Sequence, residues 1–298
     1  MKSNHIRRSN EDRVFSIVTY TIATIALIIT LYPLVYCISA SFSAPMEVVR
    51  GNVLLFPKKV TLMAYQAVIK NKSMFTGYAN TIFYTLLGTA MNLVMTIAAA
   101  YPLSKRDFRG RNGITFLFTI TMFFSGGMVP NFLLIRQLGL YNTIWALLLP
   151  GCVSAWNLVI MRTYFQTSIP EEICESAYMD GCSNIGSLLR IVLPLSAPII
   201  AVMVIFYGVG HWNSYFNALL YLKSREKYPL SLVLREILLQ GMGQEKTGAE
   251  VIDSVADLLL FETLKYAVII VSSVPMLILY PALQRYFVKG TMVGSLKG

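Results

Sequence analysis

Charge is scarce in this chain: 13% of its 298 residues are Asp, Glu, Lys or Arg, against about 25% in a soluble domain. That scarcity speaks against a soluble fold, because a chain of this length would otherwise carry a charged solvent-facing surface. Histidine is scarcer still, with His5 in the N-terminal tail and His211 far from it. No His cluster for zinc exists, and no nucleophile–base or metal constellation suggests a membrane-embedded protease or lipid transferase. The cysteines Cys37, Cys152, Cys174 and Cys182 have neither the spacing of a zinc site nor that of a disulfide framework, and read as small buried or interfacial residues. No Gly-x-x-x-x-Gly-Lys-Ser/Thr loop occurs; Gly243-Gln-Glu-Lys-Thr247 lacks the spacing, so the chain cannot hydrolyse ATP alone. Net charge is +10, yet no basic stripe interleaves with aromatics, which excludes a nucleic-acid partner.

What the chain has is apolar length. Hydrophobic residues make up 55%, and the mean hydropathy is +0.59. A bilayer core about 30 Å thick needs about 20 apolar helical residues. Six stretches qualify, at about 14–40, 80–103, 114–135, 143–164, 198–222 and 264–288. The reading is an all-α polytopic membrane protein with one membrane domain over 14–288. Pro130 with Gly126 and Gly127 interrupts the third stretch, and Pro150, Gly151 and Asn157 the fourth. The first stretch follows Arg7, Arg8 and Arg13 but is longer than a signal-peptide core, so it reads as a retained helix.

Short basic loops orient the bundle. Lys105, Arg106, Arg109 and Arg111 crowd one short loop, whereas the cations of 41–79 are spread along a long one. Short loops weigh most, so both termini are expected in the cytoplasm, as tails 1–13 and 289–298. The longer segments, about 41–79 and 223–262, then lie outside, the second with a flexible part around Gly241, Gly243 and Gly248. The intervening loop at about 165–197 lies inside.

That inner loop reads as two short helices. Ser168 is an expected N-cap, Pro170 suits a first turn, and Glu171 and Glu172 favour the positive end of the helix dipole. Gly181 can end the helix in a left-handed conformation, and Ser183 can cap the next. Ile173 and Ala177 share one face, and Glu171 and Glu175 another. Such a pair is either a docking device or a plain cap on the bundle.

The run Glu175-Ser-Ala-Tyr-Met-Asp-Gly-Cys-Ser183, followed by Leu193-Pro-Leu-Ser-Ala-Pro198, resembles the EAA loop of bacterial ABC importer permeases. Glu175, Ala177, Asp180, Gly181 and Pro194 match its pattern, while Ser176 and Cys182 replace alanines, small for small. His211-Trp-Asn-Ser-Tyr-Phe-Asn217 and the tail from Tyr280-Pro281 to Gly298 are similar to carbohydrate permeases, in particular those working with lipoprotein binding proteins for oligosaccharides. The resemblance implies a type I ABC importer permease fold in a bacterial cytoplasmic membrane. It implies a second permease subunit, two ATPase subunits that bind Mg-ATP, and an extracytoplasmic solute-binding protein as partners. The chain itself would need no cofactor or metal and carry no catalytic residue. Glu171, Glu172, Glu175, Ala177, Asp180, Gly181 and Pro194 are the expected ATPase-coupling residues, in a coupling helix seated on the ATPase.

The 211–217 stretch should lie near the outer half of the fifth span. His211, Trp212, Asn213, Tyr215 and Asn217 are candidate pathway residues: the aromatics can stack on sugar rings and the amides can donate and accept. Asn213 and Asn217, four apart, are expected on one face. The alternative is that these groups bond to neighbouring helices or anchor at the interface. At the level of the whole protein, the competing class is an ion-driven secondary transporter. It would usually carry carboxylates within its spans, and these stretches have essentially none away from their ends. A positive balance in the outer segments hints at anionic oligosaccharides.

Overall fold

The computed structural model describes residues 10–243 and 255–295, and every regular element among them is helical. Two compact units divide the chain, Met1–Asn71 with Ile237–Ser272, and Lys72–Glu236 with Ser273–Gly298. Of the expected N-terminal tail, Lys2, Arg7 and Arg8 lie outside the described residues.

In the first unit, α1 (Asn10–Ser41) is a long apolar rod whose most hydrophobic window has 0% of its residues buried. Such a surface is stable only in a non-aqueous setting or against another chain. Its end is capped by a folded segment holding α2 (Pro45–Val49) and α3 (Met63–Lys70), with Ala40, Val48 and Val53 forming a small core under Tyr36 and Tyr266. Within this segment Glu47 bonds Lys59 at 2.7 Å and accepts from Asn52 at 2.7 Å.

The second unit is organised on α4 (Lys72–Ser104). Next come α5 (Arg111–Phe123), α6 (Met128–Gln137), α7 (Trp145–Leu148) and α8 (Ala155–Ser168). The inner loop contributes α9 (Glu171–Met179), α10 (Asn184–Ser187), a π turn over Leu188–Val192 and α11 (Leu193–Leu195). Then follow α12 (Ala197–Trp212), α13 (Phe216–Tyr221) and α14 (Leu230–Gly243). The last helix, α15 (Val255–Ser295), runs past both ends of the expected sixth stretch and into the expected C-terminal tail. Helices α4, α8 and α12 pack together around Ala100, Leu158, Met161, Met203 and Tyr207. The stretch after α13 is stapled to α4: Asn80 donates to the carbonyls of Glu226 (2.7 Å) and Tyr228 (3.0 Å), and Thr81 accepts from the Leu230 N–H.

Among the described residues three helices are long and apolar enough to cross a bilayer, or five if each bent pair is one span. The expected third stretch bends by 115° between α5 and α6, where Gly127 takes φ +84°. The expected fourth is not one helix. It comprises α7, an irregular turn at 149–154 with Gly151 at φ +84°, and α8, which Ser154 caps by accepting from the Asn157 N–H. The fifth stops at Trp212 and resumes at Phe216, so Asn213 and Asn217 do not share a continuous helical face. Gly241 and Gly243, expected in a flexible part, are helical in α14, while Gly248 lies outside the described residues.

Candidate functional site

The inner loop folds as two short helices for local reasons. Pro170 is the N-cap of α9, and Glu171 and Glu172 fill its first turn. Ser168, the expected N-cap, instead ends α8, because that helix runs four residues beyond Tyr164. At the other end Gly181 takes φ +78°, and the N–H groups of Gly181 and Cys182 reach the carbonyls of Tyr178 (3.0 Å) and Ala177 (2.9 Å). This is the left-handed termination that glycine permits at least cost. The Ser183 hydroxyl accepts from the Gly186 N–H at 3.1 Å, as its cap position requires. Pro194 has no N–H to continue an α-helical ladder; ahead of it the turn widens, with the Leu193 N–H on the Leu188 carbonyl. A bend of 82° then turns the chain into α12.

One side chain of α9 points inward: Cys174, 5% exposed, joins the core with Tyr101, Phe165 and Val192. The rest of the helix faces out. Met179 is 88% exposed, and Ile173, Tyr178, Ile185 and Leu189 are exposed beside it. Glu175 and Asp180 are exposed and Ala177 half-buried. Glu171 meets Arg106 at 3.4 Å, and both line a cavity of about 590 Å³ together with Tyr101, Lys105, Arg111, Gln166 and Glu172. Both partners of that ion pair are solvated, which limits its worth to about 0–1 kcal/mol. Helix α9 is thus pinned by one buried residue and offers a mixed apolar and acidic surface.

A second constellation lies between α4, the 149–154 turn and α12. Asn92, 2% exposed, donates to the carbonyls of Gly151 (3.0 Å) and Cys152 (2.9 Å). Its Oδ1 lies 2.7 Å from His211 Nε2. The Tyr207 hydroxyl bonds Thr96 at 2.7 Å and accepts from the Ser154 N–H at 3.4 Å. A helix break between apolar helices strands backbone groups, and these side chains satisfy them. Gly88 makes room for the imidazole: a Cβ there would sit 2.5 Å from its ring atoms.

Of the candidate pathway residues, only His211 enters this hub. Trp212 is buried and meets Tyr78 edge-on at 6.0 Å. Asn213 is exposed and donates to the Val209 carbonyl, Tyr215 packs under the Arg235 guanidinium, and Asn217 is exposed. Asn92, Thr96 and Tyr207 escaped sequence reasoning. A signal was present, since polar residues at 89, 92 and 96 recur at helical spacing inside an apolar run.

Long apolar helices, a polar hub buried among them and an outward-facing amphipathic helix fit a polytopic membrane protein. Protein LplC of Bacillus subtilis is 42% identical over 270 residues, covering 91% of this chain and 90% of that protein. The polygalacturonan/rhamnogalacturonan transport system permease YtcP of the same organism is 38% identical over 288 residues, covering 97% and 100%. A crystal structure of a bacterial ABC transporter involved in import of the acidic polysaccharide alginate contains a chain with TM-score 0.86 and 35% identity, covering 95% of this chain and 99% of that one. No protein-family profile matches. The chain belongs to the permeases of ABC sugar importers and is a permease subunit of such a transporter.

Proposed function

We propose that this subunit lies in the bacterial cytoplasmic membrane with six spans and both termini inside, and that it forms the pathway for an acidic oligosaccharide with a second permease. Two ATPase subunits bind Mg-ATP and drive it, and an extracytoplasmic binding protein delivers the substrate. The observation that carries the coupling role is the geometry of α9: Cys174 anchors it while Ile173, Tyr178, Met179 and the acidic Glu175 and Asp180 face outward. A helix seated this way can transmit motion of a docked ATPase to α4, α8 and α12, which share its core. Glu171, Glu172 and Ala177 shape the contact, Gly181 sets its end, and Pro194 places the turn into α12. Transport is then a two-state rocking of the bundle that ATP biases.

The break at 149–154, held by Asn92, which also bonds His211, supports a pathway position, since irregular backbone at membrane depth is tolerated where it is buried in protein or lines a cavity. An acidic substrate fits the names of two relatives, one a polygalacturonan/rhamnogalacturonan permease and one an alginate importer. The experiment is purification of the tagged chain in mild detergent with mass spectrometry of its companions. A second permease and an ATPase among the companions, with the ATPase released by Glu175→Lys with Gly181→Val, support the reading. A chain that purifies alone and transports galacturonate oligomers in liposomes without ATP overturns it.

A further inference from the structure

The segment after α1 does not rise away from the end of that helix; it folds back along it. The Ser39 hydroxyl donates to the Leu55 carbonyl at 2.6 Å, placing residue 55 level with the last turn of α1. Three more bonds hold the fold: Ala44 N–H to the Lys58 carbonyl (3.1 Å), Thr61 N–H to the Phe42 carbonyl (2.9 Å), and Lys58 N–H to the Ser43 hydroxyl (3.0 Å). Val53 is buried against Ala40 and Val48, so the loop is packed, not loose. Yet the next three side chains are apolar and face outward, with Leu54, Leu55 and Phe56 exposed by 63%, 49% and 79%. Val60 and Leu62 are exposed as well, and the exposed cations Arg50, Lys58 and Lys59 lie within a few residues of the apolar triplet in sequence.

Depth decides what covers that patch. From Val14 to Ile38 helix α1 is apolar and rises about 36 Å, which exceeds the hydrocarbon thickness of about 30 Å. Ser39 therefore stands at the outer boundary of the hydrocarbon, and the backbone bond holds Leu55 at the same height. We propose that Leu54, Leu55 and Phe56 dip into the outer leaflet as an interfacial anchor, with Arg50 and Lys58 at the level of anionic lipid headgroups. Apolar side chains at the acyl boundary with cations just above them are the chemistry of interfacial membrane attachment. The anchor would hold the base of the 41–71 segment against the bilayer. The inference rests on the membrane reading proposed above.

The test is accessibility of spin labels in the assembled importer in liposomes containing phosphatidylglycerol. Labels are placed by Leu54→Cys, Phe56→Cys, Ile28→Cys and Gln66→Cys in a chain whose four native cysteines are replaced by serine or alanine. The oxygen-to-nickel accessibility ratio should be severalfold higher at 54 and 56 than at Gln66, an exposed site on α3. Nickel-accessible labels at 54 and 56, with an oxygen-accessible label at Ile28, overturn the anchor and leave the span intact. Nickel access at Ile28 as well overturns the membrane reading itself. Protection at 54 and 56 from both reagents means that protein covers the patch, which also overturns the anchor. Phe56→Trp in the native-cysteine chain provides a second readout: lipids brominated near the headgroup end should quench its added emission, and no added quenching refutes the proposal.

Discussion

Replacing Asn92 by leucine keeps the bulk of the side chain and deletes the polar contacts it makes. Three groups lose a partner: the Gly151 and Cys152 carbonyls and His211 Nε2. In a soluble core each stranded group costs about 1–3 kcal/mol. In membranes, where the unfolded chain also finds partners, single interhelical bonds average about 0.6 and reach about 1.7 kcal/mol. Applying the membrane values to three contacts gives a loss of ~2–5 kcal/mol. The assay is reversible unfolding of the purified protein in dodecylmaltoside–SDS mixed micelles, followed by tryptophan fluorescence. Trp156, at the start of α8 just after the 149–154 turn, and Trp212 at the end of α12 report on two sides of the hub. Asn92→Asp should fall between wild type and Asn92→Leu, because it retains an acceptor for His211 but loses both donors. A change within the ±0.5 kcal/mol of an ordinary surface substitution would refute the account of the break, since the 149–154 backbone would then need no side-chain partner.

Gly88→Ala should destabilise the same bundle by ~1–3 kcal/mol through overpacking on His211, and in a His211→Ala background, measured by the same titration, Gly88→Ala should cost much less. At Gly181, where a Cβ would meet nothing, Gly181→Ala tests backbone strain alone. It should cost ~1–2 kcal/mol and lower substrate-stimulated ATPase activity of the assembled importer, with Gly181→Asn milder than Gly181→Val. The Glu47 carboxyl is held below the usual carboxylate range, first by its bond to Lys59 and then by the one from Asn52. Because its folded value is depressed, its contribution is present above the unfolded pKa and lost as pH falls through the folded one. Amide exchange across 44–58, corrected for intrinsic rates, should therefore speed up below about pH 4, and Glu47→Gln should abolish that step.

Local chemistry made much of the chain readable without coordinates. Apolar length alone locates α1, α4 and α15, since the hydrophobic effect depends on how much surface is apolar, not on which neighbour covers it. Gly181 and Ser183 were legible as stop and cap because the partners they need lie within four residues. The position of Ser168 was not: its neighbours in sequence suit an N-cap, yet packing of Phe165 in the core carries α8 through it. The interruption of the fourth stretch was legible at Pro150 and Gly151, but what holds it was not, because the side chain that makes the open turn tolerable is Asn92, about sixty residues earlier on α4. In the fifth stretch the break itself was not legible, and Asn213 and Asn217 looked like one face until the helix ended between them. Sequence determined that this chain is helical and apolar, because those properties follow from composition and contacts between near neighbours, while its kinship to importer permeases was carried by resemblance of the 175–198 run to a known loop. Tertiary structure alone decided which polar groups meet across the breaks, because the buried hydrogen bonds of Asn92 and of Thr96 with Tyr207 join residues that only the fold brings together.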